Sequence, residues 1–130
     1  MATSLSTTLR SANATNIVTN AGASAKIKFY NGTRPATGVA IGAQVLLATL
    51  VGGAVIGTVS GVVLTFGAVT QTNANHVNGT PTWVRITDSA DVFVADLSVG
   101  TDMTFAGTIA TGSNTSAESV MRTQVGVPLT

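Results

Sequence analysis

Residues 82–100 read TWVRITDSADVFVADLSVG, and this stretch decides the fold. Two runs rich in Val, Ile, Phe and Trp flank a polar connection, Asp88-Ser89-Ala90-Asp91. That pattern predicts a β-hairpin closed by a four-residue loop. With Thr87 opposite Val92, Ile86 falls opposite Phe93 and Val84 opposite Ala95. Those residues, continued by Leu97 and Val99, line one apolar face. Trp83, Arg85 and Thr87 line the other face with Val92, Val94 and Asp96, and Arg85 lies diagonal to Asp96. A sheet with one apolar and one mixed face must pack on something.

Working outward, residues 25–30 alternate as a half-buried strand. Ala25, Ile27 and Phe29 point one way and Lys26, Lys28 and Tyr30 the other. Asn31-Gly32 turns the chain, and Arg34-Pro35 keeps the next residues extended. Between residues 35 and 84 no side chain carries a formal charge. Part of this stretch, 46–66, is long and apolar enough to span a bilayer, and Gly53, Gly57 and Gly61 stand at the four-residue spacing of touching transmembrane helices. The same glycines also cut the run into strand-length pieces at 44–51, 54–59 and 62–69. No aromatic belt or nearby Lys or Arg flanks it, so strands are the reading adopted. Residues 70–81 read as an exposed loop in which His76, the one histidine, is solvated rather than catalytic. Further strands are expected at 103–109 and 119–125.

Residues 3–20 contain neither Gly nor Pro. Thr3 or Ser4 is a candidate N-cap, and Leu5, Leu9 and Ala12 form a thin apolar stripe. A short helix and an extended arm that orders on a partner both fit. The opening MATSLSTTLR lacks the charged-then-apolar pattern of a signal peptide. The whole is one all-β domain, a β-sandwich or flattened barrel of about seven short antiparallel strands. It comprises a helix or arm over 1–22, the sheet domain over 23–125 and a tail over 126–130.

Only 8% of the 130 residues are charged, and the net charge is +1. An average domain carries about 25%. So little charge favours association and disfavours nucleic-acid binding. The absence of cysteine excludes disulfides, zinc-thiolate sites and a cysteine nucleophile. Four Asp, one Glu and one His offer no acid–base pair, Ser-His-Asp elbow, phosphate loop or calcium loop pattern. The expectation is a protein that is no enzyme and holds no metal or cofactor. Phe29 and Phe93 belong to the predicted core face. For Trp83 and Tyr30, on the opposite faces, a second buried layer and a partner contact both remain open.

Three stretches are familiar together: SLSTTLRSANATNIVTNAGASAKIKFYNGTRP (4–35), GVVLTFGAVT (61–70) and TPTWVRITDSADVFVADLSVG (80–100). Through the opening S-L-S-T-T-L-R, then Y-x-G-T-x-P and W-x-R-I-x-D, the chain resembles a family of small proteins encoded among the structural genes of tailed bacteriophages and prophages. The resemblance covers most of residues 4–100. The last thirty residues depart from it, with SAESVMRTQVGVPLT (116–130) resembling a tail.

The resemblance implies a virion component, first of all a capsid decoration (cement) protein. Such a protein is made in the host cytoplasm and bound as a dimer or trimer to the major capsid protein on the capsid surface, with neither nucleic acid nor membrane as a partner. Arg10, Tyr30, Arg34, Trp83 and Arg122 are the candidate contact residues. The alternatives are another virion part, at the head–tail joint, tail tube or fibre, and a small membrane protein spanning 46–66.

Overall fold

The computed structural model describes residues 6–61, 63–67, 69–71, 73–100, 102, 108–112 and 120–122. The helix α1 (Thr7–Ala21) precedes the strands β1 (Lys26–Tyr30), β2 (Leu46–Gly52), β3 (Gly57–Ser60), β4 (Val63–Phe66) and β5 (Val69–Gln71). A one-turn 3-10 helix (Asn73–Asn75) comes next, then β6 (Trp83–Thr87), β7 (Phe93–Ser98) and β8 (Val120–Arg122). The strands form two antiparallel sheets, ordered β5-β2-β1-β6-β7 and β3-β4-β8. The protein is therefore all-β with one N-terminal helix, as its sequence predicts.

Strand β1 is central because its alternation is the cleanest. Ile27 lies between Leu50 and Ile86, and Phe29 between Ala48 and Val84. All six are buried in one core that also takes Leu64 and Phe66 from the smaller sheet and Ile17 and Ala21 from α1. Burying each large side chain of this kind contributes about 1.5–3 kcal/mol.

The β6–β7 hairpin forms with a different register from the one its sequence predicts. Ile86 pairs with Ala95, Val84 with Leu97 and Arg85 directly with Asp96. Two features account for the change. The loop has three residues between Asp88 and Val92, closed by Asp88 N–H donating to Val92 O, with Asp91 left-handed at φ 67°. Val94 is then bulged, since Thr87 pairs with Phe93 while Ile86 pairs with Ala95. The bulge moves Phe93 off the expected core face and onto the Arg85 face, where the guanidinium lies 5.3 Å from its ring.

Ser6, not Thr3 or Ser4, caps α1, its side chain accepting from Leu9 N at 3.1 Å. The buried stripe is Ala14, Ile17 and Ala21, whereas Leu9 is 46% exposed. The hydroxyls of Thr15 and Thr19 bond back to the carbonyls of Ser11 and Thr15, giving these weak helix formers local partners. Gly22, at φ 69°, ends the helix by donating to Val18 O. Leu5 lies outside the described residues.

The charge-free middle folds as sheet. Residues 62–69 do not make one strand: the chain is cut at Gly67, whose N–H donates to Ile56 O, and β4 and β5 go to different sheets. The glycine spacing has a local cause. A Cβ on Gly57 would collide with the Thr65 carbonyl across the β3–β4 ladder, and Gly61 takes φ 60° in the turn after Ser60. No helix among the described residues is long and apolar enough to cross a membrane.

His76 is buried, only 3% exposed, and not solvated. The segment after the 3-10 helix runs back along β2, with Val77 N–H donating to Leu47 O at 2.8 Å. Gly79 and Ile109 bridge through two backbone bonds, and the Thr111 hydroxyl donates to His76 O. Of the strand expected at 103–109, residues 103–107 lie outside the described residues. Within the strand expected at 119–125, β8 pairs with β4.

Candidate functional site

The second face of the five-stranded sheet and its hairpin end carry three ion pairs. Tyr30 on β1 and Trp83 on β6 are cross-strand partners and stack at 4.6 Å with their planes 13° apart. Trp83 is 0% exposed, so this pair forms the second buried layer rather than a surface contact. Its indole N–H donates to Asn31 O at 3.2 Å. Burial raises the Tyr30 phenol above its ordinary pKa.

Next to the stack, Arg85 grips Asp96 through two bonds, Nε to Oδ1 at 2.7 Å and Nη2 to Oδ2 at 2.9 Å. The Asp96 side chain is fully buried. The hydrogen bond from Arg85 to Asp96 raises the guanidinium pKa further, so the arginine stays charged at any working pH. Its guanidinium also lies 5.5 Å above the Trp83 ring.

The connection between β1 and β2, residues 31–45, lies across this face as a strap without regular secondary structure. Gly38 N–H donates to Asp96 Oδ2 at 3.1 Å, and Arg85 Nη2 donates to Val39 O at 2.8 Å. Arg34 Nε donates to Ser98 Oγ at 3.1 Å. Gly38 has φ 74°, and a Cβ there would stand 3.2 Å from the Phe93 ring. At the end of the sheet, Lys26 and Lys28 both reach Asp91 Oδ1, at 2.9 and 2.8 Å. The hydrogen bonds from Lys28 and then Lys26 hold the Asp91 carboxyl down to about 2.

Of the candidate contact residues, the structure brings Tyr30, Arg34 and Trp83 to this one face, and only Arg34 is exposed. Arg10 is half-buried on α1, and Arg122 ends β8 in the other sheet. The five do not make one surface.

A different region escapes a reading of single residues. A groove of about 410 Å³ opens along β2, lined by Leu46, Leu47, Ala48, Thr70, His76 and their neighbours. Val45, Leu46 and Val77 stand exposed, Leu46 on the groove wall and the other two next to lining residues in the chain. Every lining residue comes from the charge-free stretch. The length of that stretch is the available signal, but its apolar residues fit a core equally well.

Among the described residues the arrangement supplies no acid–base couple. Asp91 and Asp96 are taken by cations. Asp88 Oδ1 accepts from Ala90 N and Val92 N, and Asp102 Oδ2 accepts from Ser98 N. Among the described residues no group of three or more His, Asp or Glu could hold a metal. The groove and its rim can instead bury an uncharged, apolar segment of another protein without stranding a charge. Comparison with protein-family models, curated proteins and solved structures finds no match in any of the three.

Proposed function

We propose that the chain is a structural protein of a tailed-phage virion, a decoration (cement) protein that binds the outside of the assembled head. The observation that carries this reading is the uncharged lining of the β2 groove, with Val45, Leu46 and Val77 exposed on or beside it. The sequence resemblance over most of residues 4–100 supports a phage particle as the setting. Such a surface fits a partner that is itself mostly neutral, and many copies on a symmetric shell add their modest contacts together. The mechanism is mass action: a protein that binds only the expanded shell shifts the assembly equilibrium toward it. No bond is made or broken, and neither cofactor nor nucleic acid takes part.

The test is to mix purified protein with expanded shells and with unassembled major capsid protein, then heat the particles. Binding to shells alone, with a higher bursting temperature, is expected. Equal stability with and without the protein would defeat the cement reading. A dozen or fewer copies per particle would place the chain at the head–tail joint instead.

A further inference from the structure

The strap over the second face differs from the rest of the fold in what holds it. Not one of residues 31–45 is buried, and Val39 and Val45 are among the most exposed large apolar side chains of the described residues. Its root is closed by Asn31 N–H to Val45 O at 3.2 Å, Val45 N–H to Asn31 Oδ1 at 2.8 Å and Gln44 Nε2 to Thr33 O at 2.5 Å. Its middle is fixed by Gly38 N–H donating to Asp96 Oδ2 and by Arg85 Nη2 donating to Val39 O, and Arg34 Nε adds a bond to Ser98 Oγ. Hydrogen bonds to charged groups are strong, so this is an effective latch.

What the latch does not do is complete the ion pair. Arg85 and Asp96 keep both bonds to each other when the strap leaves. Lifting the strap therefore strands no buried charge, the event that would make opening prohibitive. Nor does it remove a buried apolar side chain from the core. Segments with few buried contacts open below the global unfolding free energy.

We infer that residues 33–43 form a flap that opens as a unit on the closed 31–45 root, latched by Arg85–Asp96, and that its opening uncovers the Tyr30–Trp83–Phe93 face. Such opening is independent of any role on a capsid. It exchanges one protein surface for another: closed, a flap whose one charged side chain is Arg34 faces outward; open, an aromatic face beside a neutralised ion pair is presented.

Amide hydrogen exchange of the folded wild-type protein tests this directly. The Gly38 amide is expected to exchange at least about tenfold faster than those of Phe29 and Ile86 in the central ladder. Gly38→Ala loads the flap alone, because its Cβ meets Phe93 and φ 74° disfavours it. It should raise exchange at position 38 by about a further tenfold, and with it acrylamide quenching of Trp83, the single tryptophan. The core amides should not move. Equal protection of Gly38, Phe29 and Ile86 in the wild type would overturn the inference, as would a uniform acceleration of all three in the variant.

Discussion

Asp91 shows how one residue serves the fold twice. Its left-handed backbone shapes the three-residue hairpin loop, and its carboxylate takes both lysines of β1. The folded carboxyl sits at about 2, below its ordinary 3.8. A depressed value means that the stabilisation is present above the ordinary pKa and is lost as pH falls from about 4 to about 2. Asp91→Asn should keep the turn, since Asn tolerates φ > 0, and should flatten the acid limb of a stability-against-pH curve. High salt should shrink the wild-type effect, because Asp91 is half-exposed. Tyr30 behaves in the opposite sense at the other end of the scale. Burial raises its phenol above 10.0, so the folded state holds that proton longer than the unfolded chain does. Stability should therefore fall as pH rises past 10, and absorbance at the single tyrosine should titrate late in the folded protein and normally in denaturant.

At the level of elements, α1 and the β3–β4 hairpin give the sharpest contrasts. Ile17→Ala should cost about 2–4 kcal/mol by opening a cavity against the core, while Leu9→Ala on the same helix should change stability by less than about 0.5 kcal/mol. Gly57→Ala should cost about 1–3 kcal/mol, because its Cβ meets backbone that cannot rotate away. Denaturant titration of the three variants checks the ranking. These elements also show what a sequence can carry. Period-two alternation identifies β1 and the apolar face of β6, because a whole strand must agree on one face. It cannot place the Val94 bulge, since one extra residue leaves the composition unchanged while sending Phe93 to the other side. Nor can it separate β4 from β5, as Gly67 reads equally as a turn or a kink. Burial of His76 depends on contacts with β2 and Thr111, which are remote in the chain. Tyr30 and Trp83 are visible in the sequence as two aromatics of undecided role. Their burial by residues 31–45 depends on where an irregular loop lies, which no local pattern encodes.

Across the whole molecule, the described charges segregate toward one sheet. The described ionisable groups from β1, the strap, β6 and β7 cluster on the second face and its hairpin end, most of them paired within the chain. The residues lining the β2 groove carry none, although Lys28 and Lys26 stand across the β1–β2 ladder from its Thr49 and Val51. Under the proposed function this segregation dictates how binding responds to salt. A contact confined to the groove lining uses no charged side chain of this chain, so affinity for expanded shells should change less than about twofold between low and high sodium chloride. Sulfate should strengthen it, as it strengthens apolar burial. A contact made by the second face would instead draw on Arg34 and the lysines and weaken steeply with salt. Leu46→Glu separates the two without a salt series. Leu46 is 41% exposed, so the variant should unfold near the wild-type temperature. It should nevertheless lose shell binding by about tenfold or more, because the carboxylate is desolvated in a groove whose lining carries no cation. Unchanged shell binding by this variant, with steep salt dependence in the wild type, would move the contact to the strapped face.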